Sequence, residues 1–184
     1  MIHEATRTRS KGAGMMPPAP PFAPISSPGQ FPLAPVLERS CARRALSKTR
    51  YSNAESFFLA IGELRFPVAG DLLYRTGIVA QMALSSHLLD VGFDDRWCAR
   101  NIGLHIGKAL AYANATGLNY QSPAFERLTL VLSPYNVWRN PALDGSRLPV
   151  PALLPDIPPL LRDLLDHVRG VTGHARPRRR EAHG

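Results

Sequence analysis

The chain has 184 residues, 45% of them hydrophobic, and a formal net charge of +8. That length suits one domain with tails better than two domains, and no apolar run reaches the ~20 residues of a membrane-spanning helix. The charge sits at the ends, with eight Lys/Arg against two acidic residues in 1–50 and four against one in 171–184, while 51–170 is close to neutral; a DNA-binding domain carries its positive charge on the fold itself.

Residues 1–36 hold eight prolines between Pro17 and Pro35. Each removes a backbone donor and fixes φ, so neither helix nor sheet propagates, and a disordered, polyproline-like segment is expected. The same prolines interrupt any apolar leader, which argues against a secretory signal. Pro17-Pro18-Ala19-Pro20 fits a P-x-x-P ligand, but proline-rich linkers match that pattern by chance. Met1, Met15 and Met16 all fit as a start. Residues 37–49 have the pattern of a short basic helix with a thin stripe of Leu37, Cys41 and Leu46, ordered by docking. The disordered segment is therefore expected over 1–50 and the domain over 51–170.

Ser52-Asn53-Ala54-Glu55 matches a capping box, which predicts a helix start at Ser52 and an end before Pro67. Asp71 is the expected N-cap of a long central helix to Val91, with a wide apolar face. Gly92 followed by Phe93 predicts a left-handed C-cap, and Asp94 caps a further helix that reads unbroken to Gly117. Ser122-Pro123 opens the next helix. Leu128–Leu132 is also strand-like, but the start signal favours helix over 126–132. Seven prolines from Pro134 to Pro159 predict an extended wrapping segment, and Leu160–Val168 a last amphipathic helix. Residues 171–184 are expected to form a mobile basic tail. The fold class is all-α: one compact domain of about five helices with a proline-rich wrap and disordered basic termini.

Chemistry is thinly written. Gly103 to Lys108 approaches a phosphate loop but has three residues between its glycines and Ala109 where Ser or Thr is needed. Asp90, Asp94 and Asp95 lack calcium-loop spacing. His87 and His105 lack the tight His/Cys spacing of a metal or acid–base site. No metal or cofactor is implied. Cys41 and Cys98 form no disulfide framework and fit a reducing cytoplasm. Small residues recur at Ala99, Gly103, Gly107, Ala111 and Ala115, a stripe that suits internal close packing first and a homodimer seam second. The leading expectation is a non-enzymatic protein-interaction or adaptor module with Trp97, Arg100 and Tyr112 as contact residues. The alternative is nucleic-acid association through Arg43, Arg44, Arg176, Arg178, Arg179 and Arg180. An enzyme with a site near His87 and His105 ranks third.

Overall fold

The computed structural model describes residues 36–63, 69–139 and 156–176. Among them are six α-helices and no strand: α1 (Cys41–Glu63), α2 (Ala69–Val91), α3 (Asp95–Asn101), α4 (Ile106–Ala115), α5 (Pro123–Leu132) and α6 (Ile157–Thr172), with a 3-10 turn at Tyr135–Arg139 between the last two. No described helix is long and apolar enough to cross a membrane.

Helix α2 is the axis of the fold. Its apolar stripe of Leu73, Ala80, Leu84 and Leu88 is buried, but so are Thr76, Ser86 and His87 on other faces. The enclosure exceeds what the apolar pattern implies, because α1, α4, α5, α6 and the 3-10 turn all pack on it. Small residues make this feasible. At Gly77 a Cβ would lie 2.3 Å from the Tyr135 side chain, so the missing methyl is where that ring seats. The Tyr135 hydroxyl reaches on to Gln81 Oε1, whose amide donates to Gly103 O at 3.0 Å.

The expected punctuation at Gly92 is present. Phe93 N donates to Leu88 O at 2.9 Å and Phe93 is buried, the six-to-one bond of a Schellman ending. Gly92 adopts φ +110, and Glu38 passes so close that a Cβ at Gly92 would lie 2.7 Å from its amide nitrogen. Asp94 caps α3 by accepting from Trp97 N at 3.0 Å. Gly117 and Leu118 end α4 in the same manner, with Leu118 N donating to Ala113 O at 2.9 Å. Ser122 accepts from Phe125 N at 3.3 Å, and 123–132 is helix rather than strand.

Four expectations about the elements need correcting. Ser52 does not begin a helix: α1 runs continuously from Cys41, and of the expected 37–49 helix only 41–49 is helical, as its first part. The capping box fails because the chain is already helical before Ser52, so no orphan N–H groups are left there to cap, and Glu55 pairs with Arg162 instead. The helix expected from Asp94 to Gly117 is broken at Ile102–His105, where Gly103 takes φ +59 and donates to Cys98 O at 3.0 Å. Asp71 lies inside the first turn of α2, where it pairs with Arg75 at 3.2 Å. The last helix is longer than its apolar core, since Pro158 and Pro159 occupy its first turn, where their missing N–H groups cost nothing. Most of the expected wrapping segment, and residues 1–35 and 177–184, lie outside the described residues.

Candidate functional site

The expected contact residues divide. Trp97 and Tyr112 meet, with ring centroids 5.4 Å apart at 86°, and Phe93 joins them at 5.2 Å and 6.1 Å. This edge-to-face cluster fixes α3 against the start and end of its neighbours, and both residues are half-buried. Arg100 stands exposed one turn beyond Trp97.

The expected nucleic-acid residues are engaged internally where they are described. Arg43 donates to Gly92 O at 3.1 Å and to the Glu38 carbonyl, tying the N-terminal end of α1 to the α2–α3 turn. Arg44 pairs with Asp90 at 2.9 Å and donates to Thr172 O at 3.4 Å. Arg176 pairs with Asp166 and lies 3.7 Å from Glu55. Arg178, Arg179 and Arg180 lie outside the described residues. Asp95 pairs with Arg50 at 3.3 Å, so all three turn aspartates have structural tasks, and no metal-holding cluster occurs among the described residues.

His87 and His105 do not converge. His87 is 1% exposed on α2, and its Nε2 lies 3.4 Å from Thr116 Oγ1 at the C-terminal cap of α4. His105 is the N-cap residue of that same ten-residue helix, roughly 15 Å away along its axis. Burial holds His87 below its ordinary pKa, against smaller raising contributions from Thr116 and Asp90. Cys98 is equally unsuited to chemistry: burial, then Asp95 and Asp94, push its thiol up to about 12.

The best-desolvated charge is Glu55, whose side chain is 3% exposed. Arg162 donates to its two oxygens at 2.9 and 2.6 Å, and the Tyr51 hydroxyl adds a third bond at 2.6 Å. Burial alone would raise this carboxyl; the Arg162 and Tyr51 bonds outweigh it and hold the group below the ordinary carboxylate range. Arg162 also lies over the Phe58 ring at 5.0 Å. The cluster joins α1 to α6.

A wider opening lies at the seam between α4 and α5. A groove of about 620 Å³ runs there, with Gly107, Ala111 and Asn114 on one wall and Pro123, Glu126 and Leu130 on the other. Leu130 is 79% exposed. Two members of the small-residue stripe line this groove. The stripe itself is not a continuous seam, since Ala99 lies in α3, Gly103 in the break, and Gly107 over Thr129 and Ser133. Ser133 completes the corner by accepting from Gly107 N at 3.0 Å, inside the first turn of α4. In sequence, the groove's one signal is Leu130, an apolar residue facing away from Leu128 and Leu132. Comparison with protein families, curated proteins and solved structures finds no match to this chain.

Proposed function

We propose that the protein is a non-enzymatic, cytoplasmic interaction module that seats an amphipathic helix of a protein partner in the α4–α5 groove. The exposed Leu130 beside small groove walls carries this reading. A large apolar side chain left in solvent is a ready anchor, and Gly107 and Ala111 allow a helix backbone to approach closely. Glu126 and Arg127 on the rim offer charges of both signs to orient it. The two free cysteines, one buried and one exposed, are consistent with a reducing compartment.

Leu130→Glu tests the reading with little risk to the fold, because the residue is on the surface. A partner isolated with the full chain is expected to bind at least ~30-fold more weakly to the variant, the scale of losing one central anchor. Its amide shift changes should map to α4 and α5. Equal affinity for both chains, or shifts confined to other helices, would reject the groove as the docking surface.

A further inference from the structure

A second cavity, of about 300 Å³, opens between the first turns of α1 and the residues that follow α6. Arg44, Ala45 and Lys48 line one side, and Gly173, His174 and Ala175 the other. Gly173, at φ 71, ends α6, and His174 beyond it is 5% exposed. Nothing in the basic 171–184 composition marks that residue as buried.

The hydrogen bonds around Ser47 set the imidazole tautomer. Ser47 Oγ lies 2.6 Å from Ser86 O and 2.7 Å from His174 Nε2. The Ser86 carbonyl accepts only, so the single hydroxyl proton goes to it, and His174 Nε2 must carry the hydrogen that it donates to Ser47. Nδ1 is then the basic nitrogen, and no described group is hydrogen-bonded to it. Lys48 is exposed and forms no ion pair among the described residues. Arg44 has five N–H donors, and its bonds to Asp90 and Thr172 leave others unused. Among the described residues no carboxylate lines the cavity, and its remaining walls there are alanine and glycine, which leave room.

We propose that this cavity binds a phosphate monoester, held by Lys48 Nζ, the unused Arg44 donors and Nδ1 of His174. Three terminal oxygens suit three donor-bearing side chains lining one cavity, whereas a carboxylate offers two oxygens. The binding is linked to protons. His174 faces Arg44, Lys48 and the Tyr51 ring (5.9 Å) on α1 and Asp90 on α2, with Arg176 two residues along its own segment. In the free protein, burial above all, with Arg44 and Lys48, keeps the ring below its ordinary value despite Asp90. A bound dianion reverses that balance and protonates Nδ1. Affinity therefore rises as pH falls from the raised value of the bound imidazole toward the lowered value of the free one, until the ester loses its own second charge near pH ~6.

The test is a titration of the full chain with phenyl phosphate, inorganic phosphate and dimethyl phosphate, read on the imidazole NMR signals. Phenyl phosphate is expected to shift His174 saturably in the millimolar range and to raise its pKa. Lys48→Ala, an exposed position, should weaken binding roughly tenfold, the scale of one charge-assisted hydrogen bond. His174→Gln keeps a donor toward Ser47 and should bind without the rise in affinity on acidification, keeping only the fall that follows the ester's own second ionisation near pH ~6. The proposal fails if phenyl phosphate produces no saturable shift, if Lys48→Ala binds it as tightly as the parent, or if His174→Gln still gains affinity on acidification above pH ~6. Inorganic phosphate bound with the ester excluded would overturn the monoester assignment, as would dimethyl phosphate bound equally well.

Discussion

Arg162→Met is expected to cost about 3 kcal/mol at neutral pH and to invert the domain's response to acid. Methionine keeps a long chain over the Phe58 ring, so packing changes little. What changes is Glu55, which stays buried with Tyr51 and keeps only Arg176, at 3.7 Å, as a cationic neighbour. In the parent protein the folded pKa of Glu55 lies below its unfolded value. Its contribution to stability is complete above the unfolded carboxyl pKa of ~4.3 and is lost as pH falls through the folded value. In the variant the ion pair no longer opposes burial, and the folded pKa rises above ~4.3. Stability is then lost as pH rises from ~4.3 through that raised value, and regained on acidification. Urea midpoints for both chains between pH ~4 and ~8 read this directly. Adding Glu55→Gln to the variant should recover part of the loss and flatten its profile. Parallel pH profiles for parent and Arg162→Met would show that the carboxylate is not held by this arginine.

Gly77→Ala is expected to lower stability by about 1 kcal/mol although alanine is the better helix former. Propensity favours the change by ~1 kcal/mol. Against it, the new Cβ would sit 2.3 Å from Tyr135 Cβ and Cγ, a distance that only displacement of the ring can relieve. Moving it breaks the Tyr135–Gln81 bond and the packing of Tyr135 on Tyr74, whose ring centroid is 5.9 Å away. Overpacking of this kind costs ~1–3 kcal/mol. Gly107→Ala is the matched control. There a Cβ would meet Thr129 Oγ1 at 3.5 Å and Ser133 Oγ at 3.6 Å, ordinary contacts, so that change should be neutral or slightly stabilising. Thermal denaturation of both variants separates the outcomes: equal midpoints would mean that the Tyr135 seat is not tight.

The sequence announces local stops well and tertiary pulls poorly. Gly92, Asp94, Gly117 and Ser122 act through bonds to residues within a few positions, so their patterns carry their own reason. Ser52 and Glu55 looked equally local, yet Glu55 answers to Arg162, 107 residues away. With helix already running from Cys41, Ser52 has no orphan N–H groups to cap and the local pattern has nothing to act on. The break at Gly103 was hidden for a related reason: small residues at fourfold spacing fit a helix, and only the corner's packing against Gln81 and Ser133 selects a left-handed glycine there. Of the candidate sites, the groove was legible only as a misplaced apolar residue. The His174 cavity was not legible, because Ser47 and His174 are separated by 127 positions and carry no motif.

The enclosure of α2 has a kinetic counterpart. Thirteen of its 23 residues are buried, whereas in the seven-residue α3 only Cys98 is. Amide protons in the middle of α2 should exchange with solvent only through global unfolding, so their protection reports the full stability of the domain. Those of α3 should exchange through a smaller opening at the Gly103 corner that leaves the rest folded, and so respond less steeply to denaturant. The rigid and the yielding parts of the molecule are thus consecutive in the chain, divided at Gly92.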